Sequence, residues 1–126
     1  MSQKWDPYVQ SMQSNANFGT SQWLLVKTAG DTDIDLAGAG EACVGVLTDA
    51  VGPSDTSVKY VDVQMGRLVK VECGATVTDG AALMSNGAGE AIPATDGNFI
   101  FGFSLQDAAD GELMSAQWAP SYYEIT

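Results

Sequence analysis

The sequence predicts a small, mainly β domain of antiparallel strands, and three observations carry that prediction. Apolar and polar residues alternate through Val61-Asp62-Val63-Gln64-Met65 and again through Val69-Lys70-Val71-Glu72-Cys73, the two-residue period of strands with one buried face. Gly66, Gly74, Asp79-Gly80 and Asn86-Gly87 then punctuate the chain. Asp-Gly and Asn-Gly are favoured corners of tight hairpins, and no helix-length apolar stripe survives such spacing. Finally, 126 residues with 45% apolar content and 14 glycines suit one turn-rich domain with a real core.

Taken in order, the chain opens on a segment unlike the rest. Residues 1–30 carry Lys4 and Lys27 against Asp6, a net of +1, whereas 31–126 carry Lys59, Arg67 and Lys70 against fifteen acids, a net of −12. Trp5, Tyr8, Val9, Met12 and Phe18 sit here in a Gln/Ser/Asn background. Asp6-Pro7 has the residue types of a helix start, and residues 5, 8, 9 and 12 share a helical face, yet no stop signal follows. Two readings stand: a terminal turn lying on its own domain, or an arm over 1–22 whose aromatics dock on another protein. On the arm reading, deletion of 1–20 leaves the β domain folded.

The β domain is expected over residues 23–118. Trp23-Leu24-Leu25-Val26 reads as its first strand, and Ile34 and Leu36 alternate with Asp33 and Asp35 as a second. Val44, Val46 and Leu47 make another, with Gly45 inside it marking a bulge or close backbone approach. After the loop at 51–56 come the two alternating runs, then Ile92-Pro93 and a turn at Asp96-Gly97. Phe99, Ile100, Phe101 and Phe103 form a strongly apolar strand around Gly102. Phe101 and Phe103 are assigned to the core with Val61, Val63, Val69 and Val71. Met114, Ala116 and Trp118 alternate as the last strand, and residues 119–126 form an aromatic tail with Tyr122 and Tyr123. Gly-Ala-Gly-Glu-Ala occurs at 38–42 and again at 87–91, which suits two related hairpin units in one small barrel, or coincidence of turn grammar.

Charge and composition exclude several functions. A net charge of −11 repels phosphate backbones and anionic lipid, so neither nucleic acid nor membrane is an expected partner. No apolar run approaches the roughly 18 residues of a membrane span, and no signal peptide is legible at the N-terminus. Cys43 and Cys73 read as small buried hydrophobes rather than a disulfide framework. With no histidine in the chain, Ser-His-Asp and Cys-His catalysis and the usual zinc sets have no base or ligand. Asp31-x-Asp33-x-Asp35 opens like a calcium loop, but Leu36 and Ala42 stand where its glycine and glutamate belong. No metal, cofactor or catalytic residue is therefore expected.

The ordered pattern Asp33-Ile34-Asp35-Leu36-Ala37, Gly45-Val46-Leu47, Val61 to Glu72, Val77-Thr78-Asp79-Gly80, Asn86-Gly87-Ala88-Gly89 and Phe101-Gly102-Phe103 resembles the capsid decoration, or cement, proteins of tailed phages. The resemblance covers about residues 23–118. It implies a β-tulip-like or small β-barrel fold, a homotrimer on the capsid exterior, and no catalytic residues. It further implies major capsid protein as the partner, the virion as the location, synthesis in the host cytoplasm, and stabilisation of the head by bridging capsomers. Trp5, Tyr8, Met12 and Phe18 are then the expected capsid contacts, and Trp118, Tyr122 and Tyr123 the expected trimer or tail contacts. The competing expectation is a carbohydrate- or receptor-binding β module on a virion or cell surface, using Trp118, Tyr122 and Tyr123.

Overall fold

The computed structural model describes residues 9–14, 22–28, 33–48, 59–64 and 66–123. Every regular element among them is a strand: β1 (Val9–Ser14), β2 (Leu24–Thr28), β3 (Asp33–Leu36), β4 (Gly45–Leu47), β5 (Lys59–Gln64), β6 (Leu68–Glu72), β7 (Ala82–Ser85), β8 (Ala91–Pro93), β9 (Asn98–Ser104) and β10 (Leu113–Tyr123). The mainly β, single-domain expectation is borne out.

The strands divide between a ring and an open sheet. In the first the order is β1-β3-β2-β4-β5, and β5 pairs back on β1 to close it. Its pairs are antiparallel except β1 with β3, which run parallel through Gln13–Asp33 and Ser14–Ile34. The second sheet has the order β6-β10-β9-β7-β8. The domain is thus not one antiparallel barrel. The chain leaves the ring at Gly66-Arg67, where Arg67 takes φ 38°. Its carbonyl accepts from the Trp118 N–H at 2.6 Å, which starts β6 beside β10 instead of continuing round the ring.

Why the two layers adhere is visible in β2 and β4. Leu25 and Val46 are cross-strand partners and face a core shared with Val69, Val71, Leu83, Phe101, Met114 and Ala116 of the second sheet. Val26 and Leu47 point the other way, into the ring, with Ile34 and Val63. Both faces of these strands are buried, so their sequences run apolar without alternation. Backbone bonds stitch the layers further: Leu25 N–H donates to Gly89 O at 2.7 Å, and Glu72 N–H to Trp23 O at 2.8 Å. Gly89 has φ +81°, and a Cβ there would stand 3.0 Å from Leu25 O. The Asn86-Gly87 hairpin therefore needs glycine at its third corner to reach β2. Asn86 Oδ1 shapes that hairpin by accepting from the N–H groups of Ala88 and Glu90, each at 2.9 Å.

Three sequence expectations meet a different arrangement. Residues 9–14, inside the expected arm, form β1, paired with β5 over its whole length; deleting 1–20 therefore removes a strand of the ring. β10 continues past Trp118 to Tyr123, so most of the expected tail is strand. Its register shifts between Trp118 and Ser121, setting Ala119 and Pro120 against Phe101 alone. This bulge breaks the alternation of β9: Phe101 is buried at 1% exposure, while Phe103 is 40% exposed. Val63, Val69 and Val71 are buried as expected, the Val61 side chain lies outside the described residues, and Ile100 is buried as well.

Candidate functional site

The surfaces available for function follow from what the two layers leave uncovered. On the outer face of the second sheet the pairing sets rows across the strands. Leu68 lies opposite Gln117, which lies opposite Phe103. Lys70 lies opposite Ser115, whose carbonyl accepts from Leu105 N–H at 3.1 Å, and Glu72 lies opposite Leu113. Leu68, Phe103, Leu105 and Leu113 are all large exposed apolar side chains on this face. A groove of about 350 Å³ beside Leu68 is lined by Trp23, Gln64, Val69, Lys70 and Ser115. Trp23 stands at φ 64°, an unusual conformation for a bulky residue, held by its N–H donating to Leu47 O at 2.6 Å and its carbonyl accepting from Glu72.

A second surface forms at the far end of β9 and β10. Phe99 and Tyr122 are cross-strand partners whose rings meet edge to face, centroids 5.2 Å apart at 73°. Both are exposed, and they flank a groove of about 320 Å³ with Ala42, Cys43, Ile100, Pro120 and Ser121. An amphipathic ring on a rigid strand pair gives contact area at low ordering cost. Of the residues singled out in the sequence, Tyr122 lies on this platform, and Tyr123 continues β10 opposite Asn98. Trp118 is only half-exposed and packs on the core with its ring 5.7 Å from Phe101. Met12 lies in β1, whereas Trp5, Tyr8 and Phe18 lie outside the described residues. Sequence reasoning passed over Phe99 and the Leu68 face, because an apolar residue in a strand reads first as core.

Titratable groups add little nucleophilic chemistry. Burial, helped by the Glu41 carboxylate, pushes the Cys43 thiol up to about 12. Burial also raises the Cys73 thiol, reinforced by Glu112, Asp110, Glu72 and Glu90, and its S–H donates to Met114 Sδ at 3.7 Å. Both cysteines are free and remain protonated thiols at neutral pH. At the end of β6, Glu72 is raised above the usual carboxylate range by a hydrogen bond shared with Glu90, then by burial and the charges of Glu90 and Asp110. Glu90 is itself anchored by Asn86 Nδ2 at 3.0 Å. Lys27 pairs with Glu41 at 2.9 Å on the ring surface.

Fold and surface together define a two-layer β module that offers apolar and aromatic faces on rigid strands. A solved structure with this fold is the N base of the head fiber protein gp8.5 of bacteriophage phi29. It matches with a TM-score of 0.73 at 21% identity, over 88% of this chain and 94% of that one. At that identity the likeness is one of fold. No protein-family model and no curated protein matches the chain.

Proposed function

We propose that this chain is a non-enzymatic structural protein of a phage virion, mounted on the outside of the head. The observation that carries the reading is the shared fold with the phi29 head fiber base, which spans nearly the whole of both chains. The finer part of the proposal is that it binds as a homotrimer to major capsid protein and stabilises the shell by bridging capsomers. Physical arguments support this. A charge of −11 keeps a free subunit soluble at high copy number, and a trimer multiplies modest contacts through effective concentration. Trp5, Tyr8, Met12 and Phe18 are the proposed capsid anchors, in a segment that lacks the negative charge of the body. Tyr122 and Tyr123 are the proposed contacts of the β10 end, with Trp118 supporting them from the core.

The test is co-sedimentation with purified capsids of the parent phage from which this chain has been omitted. Saturable binding, with capsids that then withstand a higher temperature, is the expected result. Absence of binding at saturating subunit overturns the proposal. The exposed Phe99–Tyr122 pair favours a second reading, a carbohydrate-binding module; binding on a glycan array, lost in Tyr122→Ala, would support it.

A further inference from the structure

The outer face of the β6–β10–β9 sheet is chemically polar along its length. At one end stand Leu68 and Phe103, with Lys70 in the next row; at the other stand Leu113 and Glu72, with Glu90 and Asp110 close to Glu72. All four apolar side chains of this face, Leu68, Phe103, Leu105 and Leu113, are between 40% and 60% exposed. Lys70 marks the positive end of this face on a strongly negative body.

Two copies at −11 each repel unless their facing surfaces are complementary. This face carries both halves of such a match, one Lys70 and one Glu72 two residues apart on the same strand. We propose that a second copy of this chain docks on this face, Lys70 of one copy beside Glu72 and Glu90 of the other, with the exposed leucines and Phe103 packed between. The arrangement relieves the crowding of carboxylates at Glu72, Glu90 and Asp110 by bringing them a cation. Because the same face serves on both copies, the contact is isologous and closes on a two-fold axis, joining copies in pairs. The proposal rests on the self-association in the reading above and adds to it a contact that joins copies in pairs.

The test is sedimentation velocity on the full chain over a concentration series, for wild type, Lys70→Glu, Glu72→Lys and their equimolar mixture. Circular dichroism melts establish that each variant is folded. Wild type is expected to self-associate, and each variant alone to associate about tenfold or more weakly, as reversed charges across an interface do. The mixture is expected to recover association as a mixed complex, because one copy then presents two acids and the other two cations. Leu68→Ser, at an exposed position, is expected to weaken association without lowering the melting temperature. Wild-type association that none of these substitutions alters overturns the proposed surface and leaves self-association standing. A wild type that is monomeric at every concentration overturns both.

Discussion

Replacing Phe101 by alanine tests the packing account most sharply when set beside the same change at Phe103. Phe101 is the largest fully buried side chain among the described residues, 1% exposed, in a core that both layers share. Truncating a buried phenylalanine costs about 3–5 kcal/mol from lost transfer energy and the cavity left behind. Loss of its ring contact with Trp118, centroids 5.7 Å apart, adds about 0.5–1.5 kcal/mol. Small domains are stable by only about 5–15 kcal/mol, so Phe101→Ala should remove a large share of the total. Phe103, 40% exposed beside Gln117, should lose about 1 kcal/mol or less, as surface changes generally do. Urea titration of both variants, followed by tryptophan fluorescence and far-UV circular dichroism, yields the two differences. Equal costs would mean that alternation runs unbroken through Phe101 and Phe103 and that the bulge opposite Phe101 is misplaced. A loss below about 1 kcal/mol at Phe101 would refute the shared core.

Other perturbations read other parts of the structure. Gly102→Ala drives a Cβ into the Gln117 carbonyl oxygen, so the backbone there must shift and stability should fall by about 1–3 kcal/mol or more in the same titration. Because folding raises the Glu72 pKa, through the hydrogen bond shared with Glu90 first and burial second, the folded state favours its protonated form more than the unfolded chain does; that stabilisation is full below the unfolded value and is lost as pH rises through the folded one. Glu72→Gln, a permanent donor to Glu90, should therefore be more stable than wild type at neutral pH, with the gap closing on acidification; a gap independent of pH would contradict the shared proton. Deletion of 1–20 removes β1 and bares the edges of β3 and β5, so it should lower the melting temperature sharply or give aggregation.

Much of this architecture is legible in the residues, and the failures have physical causes. The alternations at Val61–Met65 and Val69–Cys73 fall within or beside β5 and β6, and the Asp79-Gly80, Asp96-Gly97 and Asn86-Gly87 corners lie at turns. β7 goes unread because Leu83, Met84 and Ser85 are all buried, which leaves no alternation to see. β1 goes unread for the opposite reason: Val-Gln-Ser-Met-Gln-Ser shows neither strand period nor strand-forming composition. Pro120 makes the chain after Trp118 look like tail, yet it sits in the bulge of β10, a place in a sheet where a missing N–H is tolerated. The interaction surfaces were the least legible part. Which of Phe99, Phe101 and Phe103 faces water depends on the register of β10, a pairing between segments distant in sequence.

The central claim, a structural role on the outside of a phage head, is tested most directly by imaging. Cryo-electron microscopy of parent-phage capsids, prepared without this chain and then incubated with it, should show added density of its two-layer shape on the outer surface, repeating at defined lattice positions. Capsids whose outer surface is unchanged after incubation at saturating subunit would contradict the account.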